Sequence, residues 1–166
     1  GMVADVTERV TSQVALERQA RSDLLTGLPN RRAFCEMLQA LILQGGDASH
    51  SVLYVDLDRF KAVNDRHGHA AGDEVVREVA ARLRQVIGSE DVLARLGGDE
   101  FIILAAESLS GTRGEQLAVQ IIAGVNHPIV LASGQIANVG ASIGIAAVEV
   151  RETSAEAVIR RADLAM

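Results

Sequence analysis

Apolar residues recur along the chain with two different periods, and each period marks a different kind of element. Val3, Val6, Val10 and Val14 step by three and four, which predicts a helix over residues 3–22. The stripe fades into ERQARSD, and so thin a stripe rarely packs alone. Residues 1–22 are therefore expected to form a linker or signalling helix, or the entry to a two-stranded coiled coil. A turn-rich joint, DLLTGLPNRRAF, follows with Gly27 and Pro29, and Asn30 is placed to cap the next helix. That helix carries Phe34, Met37, Leu38, Leu41 and Ile42 on one face and should stop near Gly45-Gly46.

Strand-like patterns begin at SVLYVDLD, residues 51–58, a β-branched and aliphatic run that reads as buried. A polar loop is expected to continue to residue 72. Val75, Val76, Val79, Ala80, Leu83, Val86 and Ile87 then mark an amphipathic helix ending at Gly88. In VLARLGGDEFIILA, residues 92–105, two apolar runs flank a turn expected at Gly97-Gly98, because glycine alone takes positive φ freely at both turn positions. A helix over roughly 115–125 presents Leu117, Ala118, Ile121 and Ile122 on one side. IVLA, then Ser133-Gly134, then QIANVGASIGIAAV predict a second hairpin. In its last strand Val139, Ala141, Ile143, Ile145 and Ala147 alternate with small residues, so one face can seat a helix closely. Thr153 with Glu156 reads as a capping box opening a final helix that continues to Met166. This order predicts an α+β fold, a mainly antiparallel sheet covered by helices, rather than an alternating Rossmann pattern.

Composition narrows the picture. The 166 residues suffice for one domain, and with only Phe34, Tyr54, Phe60 and Phe101 as aromatics the core must be aliphatic. A net charge of −6 argues against a nucleic-acid surface. The lone Cys35 excludes an intramolecular disulfide and suits a reducing compartment, so a cytoplasmic location is expected. No apolar run approaches the roughly 18 residues needed to span a bilayer, and no signal peptide is visible. No membrane partner is expected for this stretch, although a longer parent chain could carry an anchor. Gly1-Met2 reads as a tag-cleavage remnant, which also points to a longer parent. Of sixteen basic residues only Lys61 is a lysine, and it stands beside a cluster of carboxylates.

Three polar clusters break the apolar logic. Asp56 and Asp58 end a strand and, two residues apart, point the same way. Asp99 and Glu100 follow the glycines of the first hairpin. FKAVNDRHGHAAGDE carries Lys61, Asn64 and Asp73. If the strand at 51–58 neighbours the hairpin, Asp56 and Asp99 converge and repel unless a cation joins them. A hard divalent ion such as Mg²⁺ with a phosphate substrate satisfies that arrangement, with Lys61 offering a point charge to phosphate oxygens. The same residues have plainer explanations: Asp56 and Asp58 can end a strand at a solvated loop, and Asp73 can cap a helix. His67-Gly68-His69 lacks partners at zinc spacing. DLDRFKAVNDRH fails as a calcium loop, because Phe60, Lys61 and His67 stand where an oxygen ligand, Gly and Glu are needed. P-loop and dinucleotide-binding fingerprints are absent.

RLGGDEF at 95–101 resembles the signature of the GGDEF family, the bacterial diguanylate cyclases. DLLTGLPNRR (23–32), DLDRFKAVNDRHGHAAGD (56–73) and RADLAM (161–166) are similar to the family's other landmarks, in order. The resemblance implies a GGDEF domain over 23–166, cut short at its C-terminal end, with a ferredoxin-like core like that of adenylyl cyclase. It implies condensation of two GTP into cyclic di-GMP and two pyrophosphates by a transient homodimer, with Mg²⁺ or Mn²⁺, two ions per site. Asp56, Asp99, Glu100 and the Leu57 carbonyl would ligate metal; Glu100 would be a ligand or help deprotonate the 3′-hydroxyl. Lys61 and the backbone of Arg59 and Phe60 would meet phosphates, Gly97 and Gly98 would clear space for the triphosphate, and Asn64 and Asp73 would read guanine. An upstream sensor and a downstream cyclic-di-GMP phosphodiesterase domain are the implied neighbours, the latter fitting a catalytically silent GTP-binding alternative. The chain departs from the family where an Arg-x-x-Asp product-inhibition site would end at Asp91, since Gly88 replaces the Arg. It also ends before the family's closing Tyr, Lys and Gly-Arg-Asn stretch.

Overall fold

A computed structural model describes residues 20–45, 50–107, 109, 112–149 and 151–166. The helix expected over 3–22 therefore lies almost wholly outside the described residues, as does Gly46. In chain order the elements are α1 (Arg31–Leu43), β1 (Ser51–Asp58), α2 (Phe60–His67), α3 (His69–Val86), β2 (Val92–Gly97) and β3 (Glu100–Ala105). There follow α4 (Thr112–Asn126), β4 (Ile129–Val130), β5 (Ile136–Ala137), β6 (Gly140–Ala147) and α5 (Ala155–Leu164).

Four strands make one antiparallel sheet in the order β2-β3-β1-β6. With helices between β1 and β2 and between β3 and β6, this is the split βαβ order of ferredoxin-like folds. Strand alternation divides the core in two. On one face Leu53, Val55, Leu57, Phe101 and Ile103 pack with Val75, Val79 and Leu83 of α3 and Ile121 and Val125 of α4. On the other, Val52, Tyr54, Ile102 and Leu104 pack with Phe34 and Leu38 of α1 and Val158 and Ile159 of α5. Full burial of each such aliphatic side chain contributes about 1.5–3 kcal/mol.

Local chemistry explains several helix ends. Asn30 caps α1 as expected, its Oδ1 accepting from the Ala33 N–H at 3.0 Å. Gly45, at φ +81°, follows the helix end. The carbonyls at the end of α4 meet a guanidinium: Arg82 of α3 donates to Gly124 (3.1 Å), His127 (2.5 Å) and Pro128 (3.1 Å). The β4–β5 ribbon leans on the α2–α3 junction, where the Ala132 N–H donates to Glu74 at 2.7 Å and His67 Nδ1 meets Gln135 at 2.9 Å.

Several expectations are corrected. The segment expected as loop contains α2, and α3 starts at His69, so Asp73 lies inside a helix rather than capping one. That helix ends at Val86, before Gly88, and the helix expected over 115–125 spans Thr112–Asn126. The first hairpin turns at Gly98-Asp99, because Gly97 pairs with Glu100 after a register shift between Arg95 and Gly97. The second hairpin is a separate ribbon of β4 and β5; β6 leaves it to pair with β1. The final helix is capped by Ser154, not Thr153: Ser154 Oγ accepts from the Ala157 N–H at 3.4 Å, and α5 ends at Leu164.

The small residues of β6 do seat a helix. A Cβ on Gly144 would lie 1.9 Å from the Ala162 carbonyl oxygen and 2.7 Å from the Met166 N. Gly144→Ala should therefore cost about 1–3 kcal/mol as α5 is pushed off the sheet. Gly124→Ala in α4 would meet only Val86 Cγ2 at 3.8 Å and should instead stabilise by about 0.4–1 kcal/mol. Urea melts of the two variants check both signs.

Candidate functional site

Placing Asp56 requires only the pairing of β1. Its register sets Asp56 opposite Glu100 on β3 and opposite Ser142 on β6, all on the face shared with Tyr54. Asp99 sits in the adjoining turn, its carbonyl accepting from the Leu57 N–H at 3.1 Å. The expected convergence of the strand with the hairpin is thus present in the backbone. Burial first, then the carboxylates of Asp99, Glu100, Asp58 and Asp163, push the Asp56 pKa above its ordinary value. Asp58 turns toward β6, where the Ser142 hydroxyl donates to it at 2.8 Å. Among the described residues no three acids or histidines already form a metal cage. The donor set nevertheless suits a hard cation, since Asp56 is faced by the carboxylates of Asp99, Glu100, Asp58 and Asp163.

The chain leaves β1 through Arg59, whose φ of +66° is the one positive value at a described non-glycine residue. That left-handed step turns it directly into α2, which has no side-chain cap at its N-terminus. Phe60 and the exposed Lys61 form the first turn there. Asn64, further along α2, lies against α3 at Gly72: a Cβ on that glycine would sit 1.9 Å from Asn64 Oδ1 and 3.2 Å from Phe60 Cζ. Asp73 follows Gly72 and is exposed. The fold thus holds Asn64 beside the helical turn that carries Asp73. Leu57 is buried in the core at this end of the strand.

A second linkage was not anticipated. Arg95, on β2, reaches the turn and the DLLTGLPNRR segment at once. Its Nε and Nη2 donate to the Gly98 carbonyl at 3.1 and 2.7 Å, and Nη1 donates to both Asp23 oxygens at 3.0 Å. Asp23 also accepts from the Thr26 N–H at 2.9 Å and hydroxyl at 2.6 Å. The Arg95 N–H donates to the Pro29 carbonyl at 3.0 Å. Gly97 and Gly98, with φ of +143° and +51°, form the bend these bonds hold. No local pattern marks Arg95 and Asp23, which lie 72 residues apart, whereas Gly72 meets Asn64 across the α2–α3 corner.

At the other end of β3 a cleft of about 750 Å³ is lined by Gly88, Asp91, Glu107, Leu109, Arg113 and Gln116, among others. It contains none of the carboxylates around Asp56 and takes in Gly88 and Asp91, the two ends of the GSED segment. Asp91 is engaged there, its Oδ2 accepting from Gly88 at 2.7 Å and its Oδ1 from Ala106 at 2.9 Å.

Comparison with known proteins gives these features a family. The model of the diguanylate cyclase GGDEF domain matches residues 20–166. The chain belongs to the GGDEF family. It is 40% identical over 154 residues to the diguanylate cyclase TpbB of Pseudomonas aeruginosa, covering 92% of this chain and 35% of TpbB. It is 36% identical over 162 residues to the cyclic di-GMP phosphodiesterase PdeR of Escherichia coli, covering 98% of this chain and 24% of PdeR. The chain thus spans about a third or less of these relatives. A solved coiled-coil and GGDEF structure of DgcB from Caulobacter crescentus, in complex with c-di-GMP, superposes with a TM-score of 0.87 at 27% identity, covering 98% of this chain and 87% of that one. The α+β cyclase-like fold agrees with the expected one. Among the described residues no helix is long and apolar enough to cross a membrane.

The Asp23 linkage yields a pH signature. Burial alone would raise the Asp23 pKa, but bonds from Thr26 and Arg95 outweigh it, and the pKa is lowered from 3.8. Its stabilising contribution is complete above pH 3.8 and is lost as pH falls through the depressed folded-state value. Asp23→Asn should cost about 1.5–3 kcal/mol at neutral pH. The deficit against wild type should shrink in denaturant melts taken at successively more acid pH.

Proposed function

We propose that this chain is a diguanylate cyclase domain, joining two GTP molecules into cyclic di-GMP across a transient homodimer. The observation that carries the reading is the β1 register, which sets Asp56 opposite Glu100 beside a two-residue turn containing Asp99. Asp56, Asp99, Glu100 and the Leu57 carbonyl would hold Mg²⁺ or Mn²⁺, two ions per site; bound metal supplies charge neutralisation at the α-phosphate and the leaving pyrophosphate.

The protein's own groups bind and orient. Lys61 and the uncapped backbone N–H groups after Arg59, Phe60 among them, receive phosphate oxygens. Gly97 and Gly98 present no Cβ to the triphosphate. Asp73 accepts from guanine N1–H and N2–H₂, and Asn64 donates to O6. Adenine offers no such donors on that edge, so ATP leaves Asp73 unpaired at a cost of about 1–3 kcal/mol. Glu100, as metal ligand or proton acceptor, faces the 3′-hydroxyl of the GTP on the second copy. Each hydroxyl oxygen attacks the opposite α-phosphorus and expels pyrophosphate, and two such steps close the ring. An upstream sensor and a downstream phosphodiesterase domain fit as neighbours in a longer parent chain.

The similarity to PdeR favours a second reading, a silent GTP-binding module serving a phosphodiesterase. Incubation of the full parent protein with GTP and Mg²⁺ separates the two. One cyclic di-GMP with two pyrophosphates, at a rate rising steeper than linearly with protein concentration, supports the cyclase; GTP bound without turnover supports the silent module. Asp99→Ala should lower synthesis by about a hundredfold or more while leaving the thermal melt unchanged. Undiminished turnover in that variant would sink the site.

Feedback should be weak. Gly88 supplies no guanidinium, and each lost hydrogen bond to a charged group costs about 1.5–3 kcal/mol, so product affinity in the Asp91 cleft should be at least about tenfold below that of an Arg-bearing relative. Titration of cyclic di-GMP with Mg²⁺ and no GTP checks this. Tight binding abolished by Asp91→Ala would overturn it.

A further inference from the structure

Tyr54 is the one tyrosine of the chain, and it stands in an otherwise aliphatic stretch of β1. It is 5% exposed, in the middle of β1, packed in the cluster with Val52, Ile102 and Leu104. A buried phenol needs a partner for its hydroxyl, and among the described residues no buried side-chain oxygen or nitrogen lacks one. The register shows where that partner lies. Tyr54 is opposite Ile102 and Asp56 is opposite Glu100, so Tyr54 and Glu100 are diagonal neighbours on one face of the sheet. Such neighbours are about 7–8 Å apart, within reach of an aromatic side chain. Glu100 is the carboxylate that this register brings within reach of the hydroxyl. On the other side of β1, Tyr54 is opposite Gly144, and above it α5 brings Asp163 into electrostatic reach of both Tyr54 and Asp56.

We propose that Tyr54 is a positioning residue for Glu100: its hydroxyl anchors one carboxylate oxygen from below, leaving the other to face the cation between Asp56 and Asp99. The inference rests on the reading of Glu100 as part of the metal site. A carboxylate oxygen only accepts, so the phenol hydroxyl is the donor in this pair. Without that donor the Glu100 side chain is free to rotate away from Asp56, with which it shares repulsion.

The test uses the full chain with a GTP analogue whose α,β-bridging oxygen is replaced by methylene, and Mn²⁺ affinity read from the electron paramagnetic resonance of free Mn²⁺. Glu100→Gln tests the underlying reading; unchanged Mn²⁺ affinity would remove Glu100 from the metal site and the proposal with it. Given a loss there, Tyr54→Phe should weaken Mn²⁺ about tenfold, the size expected for a hydrogen bond to a charged group. The double variant should bind Mn²⁺ no more weakly than Glu100→Gln alone. Analogue affinity in EDTA should be unchanged in Tyr54→Phe, whereas a general loosening of the site would lower it. Wild-type Mn²⁺ affinity in Tyr54→Phe, additive losses in the double variant, or a parallel loss of analogue affinity in EDTA would each overturn the role of Tyr54 while leaving the metal site in place.

Discussion

The two antiparallel pairings of Ser51–Asp58 are the constraint from which the rest of the structure follows. A strand paired on both edges is buried for most of its length, so it must be apolar until it reaches the sheet's end. Once there, the chain is free to place Asp56 and Asp58, but only against what its neighbours bring to the same level. Those neighbours are Glu100, Ser142 and Gly140. The apolar strand and the charged site are thus consequences of one geometry. Its cost is visible in Asp56, which burial and four nearby carboxylates disfavour as an anion. On the proposed reading a metal-bound nucleotide occupies this place, and its cation would make so much negative charge tolerable.

Holding that charge in place falls to residues that do no chemistry. Arg95 joins the Gly98 carbonyl to Asp23, and through its own N–H joins β2 to Pro29. The turn carrying Asp99 is therefore fixed from outside as well as by its glycines. Gly72 acts similarly on the other side, because only a missing Cβ lets the carboxamide of Asn64 lie against α3. Both devices are rigid supports for groups that, on the proposed reading, must stay in register with a ligand.

What could be read from the sequence was local. Asn30 as a cap, Gly45 as a stop and the alternation in SVLYV each depend on neighbours a few residues away, and each is present. Asp56, Asp99 and Glu100 stood out because carboxylates interrupt otherwise apolar runs. The α2 helix was illegible for the opposite reason: in FKAVNDRH only Val63 is buried, so there is no stripe to see. The turn was misplaced by one residue because an irregularity before Gly97 consumes a position that simple pairing does not count. Thr153 lost to Ser154 because the two hydroxyls are adjacent and only the backbone path decides between them. Asp23 and Arg95 are 72 residues apart, and nothing short of the fold relates them.

The unshifted pairing of β1 with β3 also limits how this site can change over time. A strand has only two sides, and membership of either depends on whether a residue's count from its partner is even or odd. Glu100 shares a side with Asp56 because the pairing of β1 with β3 runs without a shift from Ala105 to Glu100. Substitutions in the turn alter chemistry one residue at a time, whereas a single inserted or deleted residue between Phe101 and Ala105 would turn the carboxylate to the opposite layer while leaving every letter of the signature intact. Divergence at this hairpin is therefore free in composition and closed in length.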